Sequence, residues 1–227
     1  MTIRIDILRR EDADSKPCWQ SFDYEPRSER ETVATALTRL NEGGGRIRWE
    51  CGCLQKKCGA CAMVIDGAPK LACDAFLRDY GKKVRLEPLR KFPVVADLIV
   101  DRSLMRENLK TLRLWFEGEA RTSEKTHELA YEASRCLQCG CCLEVCPNFM
   151  AGGPFAGMAG GAPMARLLAE LPEAQRAEAS SLYRKRVFEG CGKSLACRNV
   201  CPAGLDIDAL LVNSNAVAVW KRYFGRR

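Results

Sequence analysis

Eleven of the fourteen cysteines in this 227-residue chain fall into three groups with short, regular spacings. Cys53, Cys58, Cys61 and Cys73 are spaced C-x4-C-x2-C-x11-C, Cys136, Cys139, Cys142 and Cys146 lie in CLQCGCCLEVCP, and Cys191, Cys197 and Cys201 lie in CGKSLACRNVCP. This pattern constrains the fold more than any other feature, because a loop that offers several thiols to one point must be wrapped around whatever they bind. A disulfide framework is the first possibility to weigh. The amino-terminal MTIRIDILRR alternates polar and β-branched residues like a strand, without the apolar core and cleavage site of a signal peptide or a twin-arginine leader. The expected location is therefore the cytoplasm, where thiols are kept reduced, and metal binding is the leading explanation.

The spacings distinguish among metal sites. C-x4-C-x2-C followed by a distant cysteine is the plant-type 2Fe-2S arrangement, which assigns Cys53, Cys58, Cys61 and Cys73 to such a cluster. Gly52 and Gly59 suit a backbone that must pass close to it. Cys51 would give x6 in place of x4 and is read as a neighbour. In the second group, C-x2-C-x2-C-x3-C-P is the bacterial ferredoxin run, whose fourth cysteine ligates the other cluster. Applying that crossover to both runs places Cys136, Cys139, Cys142 and Cys201 around a 4Fe-4S cluster and leaves Cys146, Cys191 and Cys197 for another.

That last cluster has a serine, Ser194, where the run predicts its fourth cysteine. A cubane corner without a thiolate is easily lost, so the expected product is a 3Fe-4S cluster. The competing form is a serine-ligated 4Fe-4S cluster, disfavoured because a hydroxyl is a poor ligand for soft iron-sulfide chemistry. Zinc knuckles also use paired C-x2-C, but eleven cysteines match three iron-sulfur patterns, with Pro147 and Pro202 directly after both crossover residues. Cys18, Cys51 and Cys141 remain as small apolar or incidental residues.

Other signals carry little chemistry. Gly192-Lys193-Ser194 resembles the end of a phosphate-binding loop, but Val187 stands where its first glycine belongs. No G-x-G-x-x-G opens a dinucleotide site, and His127, the single histidine, lies at a polar helix start. The net charge of +7 is partly terminal, in KRYFGRR, and suits an anionic membrane surface, an acidic partner or simple solvation. Basic residues are interspersed with acidic ones, so nucleic acid is not an expected partner. The most apolar stretch, ALLVNSNAVAVW, is short and broken by Asn213, Ser214 and Asn215, so no transmembrane segment is expected.

The fold class expected is α+β in two domains, residues 1–105 and 106–227. In the first, TIRIDILRR and CWQSFDYE read as strands, and Ser28 with Glu31 reads as a capping box before a helix bearing Val33, Ala36, Leu37 and Leu40. CAMVIDGAPKLAC reads as a hairpin about Asp66-Gly67, and KKVRLEPL as a further strand. This is the order of a β-grasp ferredoxin domain. The second domain reads as all-α: one helix marked by Leu109, Leu112 and Phe116, then THELAYEAS, and two helices opened by Pro163 and Pro172, with the glycine-rich residues 151–163 as a loop.

Taken in this order, the plant-type loop, the linker LEPLRKFPVVADLIVDRSLM, CLQCGCCLEVCP and CGKSLACRNVCP resemble the iron-sulfur subunit of succinate dehydrogenases and fumarate reductases over nearly the whole chain. The resemblance implies a peripheral subunit on the cytoplasmic face of the cell membrane, between a flavoprotein that holds FAD and a membrane anchor with quinone or haem. It also implies that the 2Fe-2S cluster faces the flavin and the 3Fe-4S cluster faces the quinone. Ubiquinone-linked relatives carry tryptophan after the second group's Cys-Pro and histidine after the third group's first cysteine. Here those places read CPNFMAGG and CGKS, a lean toward menaquinol:fumarate reduction, with Pro147, Asn148, Phe149, Gly192 and Lys193 as quinone-proximal candidates. The alternatives are an electron-transfer subunit of another oxidoreductase, such as a heterodisulfide-reductase-like or glycolate-oxidase-like assembly, and a zinc-bearing interaction module.

Overall fold

The computed structural model describes residues 2–115, 119–120 and 123–221. Its strands are β1 (Ile3–Arg9), β2 (Cys18–Tyr24), β3 (Ala62–Ile65), β4 (Ala68–Leu71), β5 (Lys83–Glu87), β6 (Val94–Ala96) and β7 (Ile99–Val100). Its α-helices are α1 (Val33–Glu42), α2 (Ser103–Thr111), α3 (Glu124–Ser134), α4 (Cys141–Glu144), α5 (Gly157–Glu170), α6 (Arg176–Tyr183), α7 (Ala196–Asn199) and α8 (Ile207–Asn215). They divide into two units, Met1–Arg102 with Leu137–Glu144, and Ser103–Cys136 with Val145–Arg227.

In the first unit a five-stranded sheet has the order β2-β1-β5-β3-β4. β1 runs parallel to β5, and the remaining pairs are antiparallel. β1 turns Ile3, Ile5 and Ile7 inward, and α1 buries Val33, Ala34, Ala36 and Leu37. The β3–β4 hairpin turns on Asp66 (φ 47°) and Gly67 (φ 79°), the paired left-handed residues that a tight two-residue turn requires. Asp66 also fixes the neighbouring strand, accepting from Arg85 N at 2.7 Å.

The helix cap differs from the one expected. Thr32 is the cap, accepting at Oγ1 from Thr35 N at 3.2 Å. The reason is a long-range constraint: Thr32 pairs with Phe76, and Val33 N donates to Ala75 O at 2.9 Å, which holds this residue extended. Glu31 is instead a buried carboxylate that accepts from Arg27 N at 2.6 Å and pairs with Arg39 and Tyr24. The β6–β7 hairpin, unforeseen from sequence, turns on Asp97 (φ 43°). Its buried carboxylate accepts from Arg10 N at 2.9 Å and Arg48 N at 2.8 Å, and Arg9 Nε lies 2.9 Å away.

The second unit is helical. Twelve of the fourteen residues of α5 are buried. The helix begins at Gly157 and runs through Pro163, where a loop is expected from composition. The small residues serve packing: a Cβ on Gly160 would stand 2.6 Å from Ala156 Cβ and 2.7 Å from Leu112 Cδ1, and one on Gly161 would stand 3.3 Å from Val187 Cγ1. Pro163 removes one donor from the ladder, a loss that close packing on nearly every side outweighs. Around α5 gather Leu112, Ala179, Tyr183, Val187, Ala218 and Val219. α2 stops at Thr111, and Arg113 turns left-handed (φ 51°); Phe116, expected to extend it, lies outside the described residues, as do Arg222 to Arg227 of the basic terminus. Among the described residues no helix is long and apolar enough to cross a membrane.

Candidate metal centres

The loop between α1 and β3 wraps the first cysteine group. Leu54 (φ 53°), Lys56 (φ 58°) and Gly59 (φ 74°) are left-handed, and such reversals turn successive N–H groups inward. Gln55 N and Lys57 N each donate to Cys53 Sγ at 3.3 Å, Lys56 N donates to Cys73 Sγ at 3.3 Å, and Cys53 N donates to Cys58 Sγ at 3.4 Å. Backbone donation from Gln55 and Lys57 draws the Cys53 thiol down to about 7, so it favours the thiolate that binds iron. Burial pushes the Cys61 thiol up to about 12. Ala72 N donates to Cys61 O at 3.0 Å, which holds Cys73, in the turn after β4, beside Cys61. A Cβ on Gly52 would meet Cys58 Sγ at 3.1 Å, so this backbone must stay bare. Four thiols under a canopy of N–H donors fit the electron-rich sulfur of an iron-sulfur cluster.

Cys51 is exposed and precedes this cradle. Cys51→Ala is therefore expected to leave the reduced 2Fe-2S resonance signal intact, whereas Cys58→Ala should abolish it. Loss of the signal in Cys51→Ala with retention in Cys53→Ala would reverse the assignment.

Cys139 and Cys142 of the second group fold with the first unit, and Cys136 and Cys201 with the second. Gly59 lies against Cys139: its missing Cβ would fall 2.8 Å from Cys139 Cβ and 2.8 Å from Leu137 O. Gly140 (φ 89°) packs on Phe92, and Glu144 of α4 accepts from Lys91 N at 3.1 Å. Cys141, surplus by spacing, is fully buried and donates its thiol to Cys139, which lowers Cys139 to about 7 against the opposing effect of burial. The Cys141 thiol is raised correspondingly. Spacing arithmetic has no means of revealing this bond.

Within the second unit, Arg135 Nη2 donates to Ala203 O at 2.6 Å and Asp206 N to Glu132 Oε1 at 2.8 Å, tying the flank of Cys136 to that of Cys201. Cys146, Cys191 and Cys197 are brought together. The Cys197 thiol is raised first by burial and then by Cys146 and Cys191. Asn148 Nδ2 donates to Gly190 O at 2.7 Å, and a Cβ on Gly192 would lie 3.0 Å from that nitrogen, which locks the two loops together. Ser194 is exposed between left-handed Lys193 (φ 56°) and Leu195 (φ 55°). Pro147 is exposed, Phe149 is buried, and Lys193 Nζ stands 5.7 Å from the Phe188 ring centroid. Thiolates of a cluster bind different irons and ring a wider space than the donors of one ion. Among the described residues no three His, Cys, Asp or Glu side chains close on a single-ion site.

Residues 3–107 match the family model of a 2Fe-2S iron-sulfur cluster binding domain, and residues 132–205 that of a 4Fe-4S dicluster domain. The fold and its sulfur donors thus define an iron-sulfur protein with a mixed-sheet 2Fe-2S domain followed by a helical 4Fe-4S domain. The chain is 32% identical to the succinate dehydrogenase iron-sulfur subunit of Bacillus subtilis, over 99% of this chain and 96% of that protein. It is 31% identical to the fumarate reductase iron-sulfur subunit of Haemophilus influenzae, over 97% of this chain and 94% of that protein. It belongs to the family of succinate dehydrogenase and fumarate reductase iron-sulfur subunits. The solved Mycobacterium smegmatis Sdh1 complex in the apo form contains a chain of the same fold, with a TM-score of 0.78, 23% identity and 97% coverage of both chains.

Proposed function

We propose that this chain is the electron-transfer subunit of a succinate/fumarate:quinone oxidoreductase, relaying single electrons between an FAD flavoprotein and a quinone held by a membrane anchor. The observation that carries this reading is the 32% identity to a succinate dehydrogenase iron-sulfur subunit along essentially the full chain, joined to the three cysteine groups. The bound clusters would supply one-electron carriage between two-electron partners. In this reading Cys53, Cys58, Cys61 and Cys73 hold the 2Fe-2S cluster, Cys136, Cys139, Cys142 and Cys201 the 4Fe-4S cluster, and Cys146, Cys191 and Cys197 the 3Fe-4S cluster. The inward N–H groups of Cys53, Gln55, Lys56 and Lys57 stabilise thiolate charge. Pro147, Asn148, Phe149, Gly192 and Lys193 form the quinone-proximal side. Their departure from the tryptophan and histidine of ubiquinone-linked relatives favours menaquinol-driven fumarate reduction. The subunit sits peripherally on the cytoplasmic face of the membrane.

Purification of the native assembly tests this. A flavoprotein and a hydrophobic anchor should co-purify, and the assembly should reduce fumarate with menaquinol faster than it oxidises succinate. The singly purified, flavin-free chain should turn over neither substrate. A purely soluble assembly, or turnover by the isolated chain, would overturn the proposal.

A further inference from the structure

Arg102 closes the first unit with a side chain only 16% exposed. Its Nη2 donates to Ala60 O at 3.1 Å and Ala62 O at 3.2 Å, the carbonyls on either side of Cys61, and its Nη1 pairs with Glu50 Oε2 at 2.5 Å. The Nε is buried and meets no hydrogen-bond acceptor among the described residues. Ala60 follows Gly59, whose backbone touches Cys139. The guanidinium therefore holds the residue that lies directly between Cys61 and Gly59, where the loop meets Cys139. We propose that Arg102 is a fixed cation that raises the reduction potentials of the clusters ligated through Cys61 and Cys139. The inference rests on the ligand assignment above.

The physical argument is electrostatic. A cluster gains a negative charge on reduction, and a buried cation that cannot lose its proton stabilises the reduced form more than the oxidised form. Glu50 is the counter-charge, more exposed than its partner, so it offsets Arg102 in part. Removing either member of the pair should move the potentials, in opposite directions.

The test is a redox titration of the intact complex, followed by electron paramagnetic resonance. Arg102→Gln should make both clusters about tenfold harder to reduce, roughly 59 mV for a one-electron couple, while Arg102→Lys should retain most of the wild-type value. Glu50→Gln should make both easier to reduce. A contribution that is merely structural would not change sign between the two neutral variants. Assembled clusters with unmoved potentials in Arg102→Gln would overturn the inference. Should Arg102→Gln fail to assemble, Glu50→Gln decides: a rise supports the cation's role, and no change refutes it. Absence of both cluster signals in the wild-type complex would instead refute the ligand assignment.

Discussion

Ser194→Cys is expected to abolish the resonance signal of the oxidised three-iron cluster and to slow quinone-linked turnover more than turnover with a dye that reacts at the flavoprotein. Ser194 is separated by two intervening residues from each of Cys191 and Cys197, and those two thiols already gather with Cys146. Its neighbours Lys193 and Leu195 are both left-handed, so the loop around the substituted position is already sharply folded and no new turn has to form. A thiol there supplies the missing corner, the cluster takes up a fourth iron, and the more electron-rich product has a lower potential. Every 59 mV of lowering shifts a one-electron equilibrium about tenfold, so a few such steps hinder reduction by quinol. If the wild-type protein, kept strictly anaerobic, shows a complete second 4Fe-4S cluster and no three-iron signal, this account of Ser194 is wrong.

Gly59→Val should be the most damaging single substitution in the first unit. A side chain at this position would collide with Cys139 Cβ and Leu137 O, both at 2.8 Å, and with Cys139 Cα at 3.0 Å, in a backbone conformation of φ 74° that β-branched residues avoid. Strain of about 1–3 kcal/mol and overpacking of about 1–3 kcal/mol together remove a large part of an ordinary domain's 5–15 kcal/mol. Gly67→Ala is the control: φ is 79° there, but nothing lies within 4 Å of the new Cβ. Iron content and the 2Fe-2S signal should collapse in Gly59→Val and persist in Gly67→Ala. A Gly59→Val protein with full iron and an unshifted melting temperature would refute the close approach of this loop to Cys139.

What could be read from the sequence was local. The alternation of Ile3, Ile5 and Ile7 and the Asp66-Gly67 turn each state their structure within a few residues. What could not be read was set by distant partners. Thr32 displaces Ser28 as the helix cap because Phe76, far along the chain, holds it extended. The glycines of residues 157–161 look like a flexible loop by composition, yet their purpose is visible only once Leu112 and Val187 are seen pressed against α5. Cys141 is surplus by arithmetic yet fully buried. The ties from Arg102 to Glu50 and from Asp97 to Arg10 and Arg48 likewise join residues that no short motif connects.

The placement of Leu137–Glu144 with the first unit has a consequence for biogenesis. A chain leaves the ribosome from its amino terminus, at about 5–20 residues per second. When Arg102 emerges, the sheet and the first cysteine loop are present, but Cys139, Gly140 and Leu143 are still to come. Residues 103–136 must follow first, a delay of roughly 2–7 seconds at those rates. Through that interval the surface of Gly59 and Phe92 that will receive Cys139 and Gly140 stands open to solvent and to other nascent chains. Until then the loop that carries Cys53, Cys58 and Cys61 lacks the contact of its Gly59 with Cys139. The first unit therefore reaches its full packing only after the second cysteine motif has been translated.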